Sequence, residues 1–595
     1  MSQRYTALYF PIKLIFFYLV GLNLWRFLFL YHNDVQDKIL PLFHGFRLDL
    51  SMACGAMLVS FIPWVLYLIT GKNWVLWICK WVTVIVWILI SVVEFSSILI
   101  FPEWGTSLDA RAISYLGNPT EAWASSRDFI SWTVIVVSLL ILFLGLQRLR
   151  HQFEQWKPVR SYYVQSIIFI ILTGPLLFLG VRGGWQKLPI KPSDAYYAKD
   201  MKSNFAAVNK VWYLLYSVTH QTEMKFVHSE DEIDSFMKTY RSPDCHKYTD
   251  SLPLLNKNIV FIIAEGWSAD MVKYLGGKEN ITPYFDSLCE NSIRFYNAFS
   301  TGFRTDQGLM SILSGIPSIS GLNMPNHLDK VIRYPSIVKD FKKAGYKTSF
   351  VYGGDLNFSN LYNYLTLSGF DTIIRDRSFD SASDITDWGV PDHIMIQKAI
   401  DLSDVESQPF FSTVLLMSSH APFDIPITNE FSARSDIPGK YMASVRYSDY
   451  ALSLYFNAVK SQLWFTNTVF ILTSDHGSTH SGYAGMDDHK RFRIPLIIYD
   501  PGQNLKTLPD SISSPCNHYD IPYTMAKNLG FSTDKYIFGR NMFCIDENRF
   551  AYWNTDNSAA CFAMNSNEIS GANQKNTRTT LFTDMVKRWF NTLPK

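Results

Sequence analysis

The sequence has little net charge and no cluster of basic residues. Its 54 lysines and arginines nearly balance 52 aspartates and glutamates, which leaves a formal net charge of +2. Proteins that hold nucleic acids display a clustered basic surface, so this composition argues against a nucleic-acid partner. Internal repeats and low-complexity segments are also lacking, which argues against a repeat architecture.

Cysteine is scarce, and none of the seven cysteines belongs to a CxxC pair. Cys54 and Cys79 fall in long apolar runs and are expected to pack as small apolar residues. The other five are Cys245, Cys289, Cys516, Cys544 and Cys561. Disulfides are possible among these five, but the number is odd and the sequence does not reveal the pairing.

Long apolar segments dominate the first 183 residues. Five are long enough to span a bilayer, near 9–31, 50–70, 75–101, 130–147 and 162–181. The first is too long for a cleaved signal peptide and lacks a small-residue cleavage site. The sequence therefore predicts an α-helical membrane domain of five spans over residues 1–183.

Basic residues near these segments predict their orientation. They are Arg4 and Lys13 at the start of the chain, and Arg148, Arg150, Lys157 and Arg160 between the last two segments. Cytoplasmic loops are enriched in such residues, so both regions are expected in the cytoplasm. An odd number of spans then places the rest of the chain outside the membrane. Because ATP is absent there, a transferase would need an already activated donor.

Three polar features accompany the apolar segments. Arg47 and Asp49 are expected at the outer mouth of the second span, as interfacial anchors or as contacts for a lipid head group. Glu94 lies deeper, in the third span, and needs a partner or a polar cavity. The aromatic, amphipathic stretch 205–216 is expected to lie on the outer leaflet or to pack on the soluble domain.

Strand-like and helix-like patterns alternate between residues 251 and 550. The predicted strands are 258–264, 347–352, 411–417, 468–473 and 494–499, and the predicted helices include 335–344, 392–400 and 441–460. Such alternation predicts an α/β domain with a mostly parallel sheet between layers of helices. Residues 184–250 are predicted to be an extracytoplasmic linker with amphipathic helices, and 551–595 a C-terminal strand and tail.

Candidate site residues follow two of these strands. Glu265 ends the first apolar run, Asp475 and His476 end a later one, and Thr305 opens a helix-like stretch between them. Open α/β sheets bind ligands at the carboxyl ends of their strands. These four residues are therefore predicted to meet around one divalent metal that activates the threonine hydroxyl. Turn preference for the acids and helix capping for Thr305 are the structural alternatives.

In this order and spacing, the four residues resemble those of the alkaline phosphatase/sulfatase superfamily. The likeness is strongest to its lipoteichoic acid synthase branch of phosphoglycerol and phosphoethanolamine transferases. Supporting motifs lie at 282–288, 352–358, 418–423 and 538–542. The resemblance implies that Thr305 takes the donor's phospho-alcohol group covalently. It also implies that Glu265, Thr305, Asp475 and His476 bind Mn²⁺, or else Mg²⁺ or Zn²⁺.

The resemblance also suggests substrate-binding residues. His420 matches the substrate histidine of the family, and His489 a phosphate-binding or second-metal position, with His480 a weaker candidate. Polyglycerolphosphate synthases carry Trp and Arg in the loop matching 352–361, where this chain has Asp355 and Asn357. These two residues suit a polar or cationic head group such as ethanolamine.

Sulfatases need Cys or Ser in a C/S-x-P/A-x-R frame, whereas residues 305–309 read Thr-Asp-Gln-Gly-Leu. Sulfate ester hydrolysis is therefore disfavoured. The predicted protein is a transferase of the bacterial plasma membrane that moves phosphoglycerol or phosphoethanolamine from phosphatidylglycerol or phosphatidylethanolamine to an extracytoplasmic glycan or lipid. The alternatives are a metal-dependent hydrolase that uses water as the acceptor and a non-catalytic lipid-binding regulator.

Overall fold

The computed structural model consists of two compact units, Met1–Thr222 and Glu223–Lys595. The finer boundaries predicted after residues 183, 250 and 550 stay predictions. The described residues are 9–104, 107–108, 132–154, 163–186, 189–198, 201–219, 224–241, 254, 256–356, 360–379, 389–405, 409–481, 488–502, 508–544, 548–555, 559–563, 569–570 and 577–593.

Five long helices form most of the N-terminal unit. They are α1 (Phe10–His32), α2 (Leu40–Thr70), α3 (Asn73–Trp104), α4 (Trp132–Glu154) and α5 (Tyr163–Arg182). By length and composition, four of the described helices can cross a membrane, and 167–182 within α5 is a shorter apolar helix. The predicted number of spans is therefore approximately right. The second span differs most from its prediction, since α2 begins at Leu40 rather than at residue 50.

A buried set of opposite charges explains how α2 continues through polar residues. Arg26 of α1 donates to Asp49 of α2 at 2.7 Å, with both side chains almost fully buried. The charges of Glu94 of α3 and Lys210 also interact with each other. We call Arg26, Asp49, Glu94 and Lys210 the four-charge cluster. Asp49 is thus a buried partner and not the interfacial anchor that was predicted, because Arg26 compensates its charge inside the bundle.

Two short helices, α6 (Met201–Ala207) and α7 (Lys210–Thr219), follow in the N-terminal unit. They divide the amphipathic stretch 205–216, which was expected on the outer leaflet or on the soluble domain. Asn209 lies between them, accepts from the Trp212 N–H at 2.9 Å and donates to Asp49 at 2.9 Å. Lys210 lies 3.9 Å from the ring centroid of Phe29. These contacts pack α6 and α7 against the long helices.

The C-terminal unit is built on a central sheet. Its strands are β1 (Asn258–Ala264), β2 (Ser292–Phe295), β4 (Lys347–Tyr352), β5 (Thr372–Ile374), β6 (Phe410–Leu415), β7 (Thr468–Ser474), β8 (Leu496–Tyr499) and β9 (Ser511–Ile512); β3 (Ala298–Phe299) and β10 (Cys516–Asn517) pair separately. The order is β5-β4-β6-β1-β7-β8-β2-β9. Every residue of β1, β6 and β7 is buried, so these strands form the centre of the core.

The sheet is mostly parallel, as predicted. β1 runs parallel to β6 and β7, and β4 runs parallel to β5 and β6. Only β8 runs antiparallel to its described neighbours β7 and β2. The five predicted strands correspond to β1, β4, β6, β7 and β8, while the short strands β2, β5 and β9 were not predicted.

Helices cover the sheet and connect its strands. They are α8 (Glu230–Arg241), α9 (Pro283–Cys289), α10 (Thr305–Ser314), α11 (Leu328–Val331), α12 (Ile337–Lys343), α13 (Leu361–Ser368), α14 (Asp392–Val405), α15 (Ile437–Val459), α16 (His489–Phe492) and α17 (Asp520–Asn528). The predicted helices correspond to α12, α14 and α15. A three-stranded antiparallel sheet and a last helix follow: β11 (Phe550–Asn554), β12 (Ala559–Ala563), β13 (Ile569–Ser570) and α18 (Thr577–Thr592).

Candidate functional site

Adjacent parallel strands deliver the predicted site residues to one edge of the sheet. Ala264 at the end of β1 lies opposite Ser474 at the end of β7. Glu265 and Asp475 are the next residues of the two strands, so the register makes them neighbours. On the other side of β1, the chain leaving β6 leads to His420, and β4 beyond it ends at Tyr352.

Glu265, Asp475 and His476 form a cluster suited to a cation. One ligand atom of each lies within 4.8 Å of the others. Nε2 of His476 lies 3.3 Å from Glu265 Oε1 and 3.6 Å from Asp475 Oδ2. His476 Nδ1 is 3.0 Å from the carbonyl oxygen of Gly477, which only accepts hydrogen bonds. Nδ1 therefore carries a proton, and Nε2, the atom that faces the two carboxylates, is the position for either a second proton or a cation.

Asp475 offers one oxygen for a further ligand. Its Oδ1 accepts the N–H groups of Gly266 and His476, both at 2.8 Å. Its Oδ2 is buried and has no hydrogen-bond partner among the described residues. A buried carboxylate oxygen without a partner is costly, and a bound cation would remove that cost. Two carboxylates and an imidazole fit Mn²⁺, Mg²⁺ or Zn²⁺.

The pKa values of the cluster reflect two carboxylates that lie close to one imidazole. Burial and the nearby charge of Glu265 raise the pKa of Asp475 to about 8. Burial alone would raise the pKa of Glu265, but the hydrogen bond and charge of His476 lower it to about 2. Burial opposes the charged form of His476, yet the charges of Asp475 and Glu265 raise its pKa to about 9. Two facing carboxylates therefore share one imidazole as their positive partner.

Thr305 is the first residue of α10 and lies beside the cluster. Its Oγ1 donates to Glu265 Oε2 at 3.2 Å. The first N–H groups of a helix have no partner within the helix, and together with the helix dipole they favour an anion. The structure thus brings together all four residues predicted to bind the metal, with the hydroxyl at an end of a helix that favours phosphate.

Two glycines permit this close arrangement. A Cβ at Gly308 of α10 would overlap the carbonyl oxygen of Asp475, and a Cβ at Gly477 would overlap that of Arg491. Neither overlap involves a flexible side-chain end, so the backbone itself would have to move. Gly308 thereby sets how closely the helix that begins at Thr305 approaches the end of β7.

Two further histidines lie near the cluster. The charge of His420 acts on Glu265, and the charges of His420 and His476 act on His480. Nδ1 of His420 lies 2.7 Å from the carbonyl oxygen of Ala421. That acceptor holds a proton on Nδ1 and so sets the tautomer of the ring. His480 packs its ring against Phe423 at 5.1 Å, and burial lowers its pKa together with the charge of Arg491.

Cationic and aromatic groups near Thr305 were not predicted. Arg304 precedes Thr305 and lies 3.5 Å from Asp306. Arg491 of α16 lies 4.7 Å from the ring centroid of Phe303. No motif marks Arg304 or Arg491, although Arg491 falls only two residues after His489, which the sequence did single out.

The remaining predicted residues differ in their positions. Asp355 is exposed, and its charge acts on Tyr352, whose pKa is raised by burial and by the charges of Glu265 and Asp475. Asp355 and the metal-ligand cluster thus share Tyr352 as a neighbour. Asn357 lies outside the described residues.

His489 begins α16, where it pairs with Asp488 at 3.0 Å and stacks on Phe562 with centroids 6.4 Å apart. Its described contacts are with these residues rather than with the cluster. A role for His489 stays a prediction.

Comparison with known proteins shows what the chain is similar to. Residues 257–531 match the family model described as Sulfatase. The chain is 24% identical over 455 residues to the lipoteichoic acid synthase-like protein YvgJ of Bacillus subtilis, and the match covers 70% of each chain. It is 21% identical over 403 residues to lipoteichoic acid synthase of Staphylococcus aureus, covering 65% of this chain and 60% of that one. The chain therefore spans only part of the length of these relatives.

Solved structures give the same fold. A protein of the alkaline phosphatase superfamily from Vibrio parahaemolyticus superposes with a TM-score of 0.50 and 22% identity. The superposition covers 61% of this chain and 96% of that one. At this identity the likeness establishes the fold alone.

Proposed function

We propose that the chain is a lipoteichoic acid synthase-like member of the alkaline phosphatase superfamily and acts as a membrane-anchored phospho-alcohol transferase. It moves phosphoglycerol or phosphoethanolamine from a phospholipid to an extracytoplasmic glycan or lipid. The curated relatives are named as synthases of lipoteichoic acid. Their names suggest a transfer reaction rather than hydrolysis as the activity of this chain.

One observation carries the proposal. The Thr305 hydroxyl lies 3.2 Å from Glu265 Oε2, beside a cluster whose unpartnered Asp475 oxygen and facing carboxylates suit a cation. A role as a helix cap alone would not explain why this hydroxyl donates to Glu265. We therefore assign Thr305 as the nucleophile and Glu265, Thr305, Asp475 and His476 as metal ligands.

In the first step, Thr305 Oγ1, whose hydroxyl proton has passed to solvent, attacks the phosphorus of the donor as an alkoxide. An Oγ1–phosphorus bond forms, the bond from phosphorus to the glyceride oxygen breaks, and diacylglycerol leaves. A divalent metal held by the four ligands would lower the pKa of the threonine hydroxyl and neutralise phosphate charge. The N-terminus of α10 favours the phosphate oxygens, and Arg491 and Arg304 add positive charge close by.

In the second step, an acceptor hydroxyl attacks the phosphothreonine and the Oγ1–phosphorus bond breaks. Nε2 of His420 gives a proton to the departing glyceride oxygen in the first step and takes one from the acceptor in the second. The Ala421 carbonyl supports this role, since it holds the Nδ1 proton and orients the ring. Asp355, exposed near Tyr352, would face the head group, where a carboxylate favours the ammonium of ethanolamine.

The same proposal places the C-terminal unit outside the cytoplasm. The basic residues near the N-terminus and after α4 favour a cytoplasmic location for those regions. Cys544 is in a disulfide bond, which suits an oxidising compartment. Phospholipid head groups of the outer leaflet would then be the donors within reach.

Mass analysis of the Thr305 peptide tests the nucleophile and the donor together. The full-length protein is incubated with labelled phosphatidylglycerol or phosphatidylethanolamine and Mn²⁺ or Zn²⁺, without an acceptor. The expected result is a mass increase of phosphoglycerol or phosphoethanolamine on that peptide. Adding a glycan or lipid acceptor then separates transfer from hydrolysis, because the label ends on the acceptor or in solution.

A matched pair of variants provides the control. Thr305→Ala should lower donor turnover at least about a thousandfold, as expected for loss of a nucleophile. Thr366→Ala removes a hydroxyl that bonds to Tyr362 of its own helix, and turnover should stay unchanged. A fully active Thr305→Ala protein would exclude the phosphothreonine.

A further inference from the structure

A second cavity lies beside α15, separate from the metal-ligand cluster. Its volume is about 670 Å³, and it is lined by residues of α9, of the segment 427–430 and of α15. This volume is within the range of sites that hold small molecules. The mechanism above uses none of its lining residues.

The lining combines flat aromatic surface with hydroxyl and amide groups. Tyr450 is 44% exposed and Ile427 is 40% exposed, so both present apolar surface to the cavity. Ser453, Ser287 and Asn429 contribute short polar side chains around them. The C–H face of a sugar ring packs on such an aromatic surface while its hydroxyls bond to the polar rim.

The charges of the lining argue against an anionic ligand. Arg446 is already paired with Glu430 at 3.0 Å and lies 3.7 Å from Asp449. One cation between two acids leaves no excess positive charge for a phosphate. The cavity therefore favours a neutral, hydroxyl-rich molecule over a phosphorylated one.

The helix that lines the cavity also contacts the active site. Tyr441 Oη of α15 donates to the Gly266 carbonyl oxygen at 2.6 Å, directly beside Glu265. Ser448 Oγ donates to Asp392 at 2.6 Å, and Asp392 accepts the Met417 N–H of the segment that leads to His420. Tyr450 lies nine residues after Tyr441, which corresponds to about 14 Å along the helix.

From these observations we infer that the cavity beside α15 binds a neutral saccharide unit of the acceptor. That the saccharide belongs to the acceptor rests on the proposed transferase function. The binding of a saccharide in the cavity does not depend on that function. A glycan held there by one sugar ring extends along α15 and presents another hydroxyl at Thr305.

Binding of neutral oligosaccharides tests this inference. Full-length protein in lipid nanodiscs is titrated with maltotetraose, cellotetraose and chitotetraose by saturation-transfer NMR, because sugar-based detergents would compete for the cavity. At least one of them should bind saturably, and Tyr450→Ala should lower the affinity for that oligosaccharide at least tenfold. Leu454→Ala, an exposed change one turn further along α15, is the matched control and should bind as the wild type does.

Three outcomes would overturn the inference. They are the failure of all three oligosaccharides to bind, equal binding by Tyr450→Ala, and displacement of the bound sugar by inorganic phosphate. The titration needs no turnover, so it is independent of the peptide mass that tests Thr305. If transfer occurs, Tyr450→Ala should also raise the KM for a glycan acceptor at least tenfold, with a smaller change in kcat.

Discussion

Each unit of this protein buries a cluster of charges, and the two clusters are built differently. In the N-terminal unit, the positive charges of Arg26 and Lys210 equal in number the negative charges of Asp49 and Glu94. In the C-terminal unit, Glu265 and Asp475 face each other, and His476 lies within 3.6 Å of both. A buried charge needs a partner. The first cluster supplies its own partners, whereas the second has the composition of a site for a cation.

This difference suggests a structural role for the four-charge cluster and a chemical role for the cluster of Glu265, Asp475 and His476. Opposite charges within a helix bundle hold helices together and leave little reactivity. An excess of buried carboxylate costs stability and is retained where a metal or a reaction uses it. The comparison yields four predictions, because each cluster should respond to mutation in its own way.

The largest effect is expected from Asp475→Asn. Loss of a charged ligand should reduce donor turnover at least about a thousandfold, since the threonine hydroxyl loses its activation. Thermal unfolding without added metal should shift little, because the change removes one of two facing carboxylates. Asp534→Asn, at an exposed aspartate, is the control. Turnover within tenfold of the wild type would remove Asp475 from the metal site.

In the four-charge cluster, Arg26→Met should instead act on stability. Leaving Asp49 buried without its partner should destabilise the protein by about 3–5 kcal/mol, seen as a lower unfolding temperature and a lower yield. The double variant Arg26→Met/Asp49→Leu should recover most of this loss, because no uncompensated charge remains. If the double variant is as unstable as the single one, the pair is not the source of the effect.

Gly308→Ala tests the geometry of the second cluster without altering its charge. The added methyl group must push α10 away from the Asp475 carbonyl, and a displacement near 1 Å should lower turnover about a hundredfold. Metal binding should be retained, since all four ligands remain. The control is Gly55→Ala in α2, where the nearest atom to a new Cβ is 4.0 Å away. Equal turnover of Gly308→Ala and the wild type would show that the contact is not needed.

Asp449 is a buried carboxylate outside both clusters, and Arg446 lies 3.7 Å from it. Its titration should have the smallest of the four effects, a change in stability with pH. Burial raises its pKa from 3.8 to about 7 in the folded protein. Its protonated form then contributes stability fully below pH 4, and this contribution is lost as the pH rises through 7. Relative to Asp449→Asn, the wild type should lose about 1–4 kcal/mol between these limits. Parallel stability curves for the two proteins between pH 4 and pH 8 would contradict this.

The sequence predicted those parts of the fold that are long and uniformly buried. β1 and β7 read as continuous apolar runs because helices cover both faces of the sheet. The strands β2, β5 and β9 have two to four residues, too few for a pattern to appear. The start of α2 was missed because hydropathy marks Asp49 as an end, while its partner Arg26 lies on another helix.

The candidate site shows a similar division. Glu265, Thr305, Asp475 and His476 were found because each follows a strand or opens a helix within a recognisable motif. Tyr352 and Arg491 were missed as site residues because their positions depend on how separate segments fold together. The cavity beside α15 was also beyond prediction, since three distant segments form it.

The contact at Gly477 has a consequence for redesign of the candidate site. The backbone of Arg491 rests directly on the loop that carries His476, with no side chain between them to absorb a shift. Any redesign of the segment around Arg491 is therefore transmitted to the ligand geometry. Variants with new substrate preference are more readily obtained from the loop of Asp355, whose side chain is exposed.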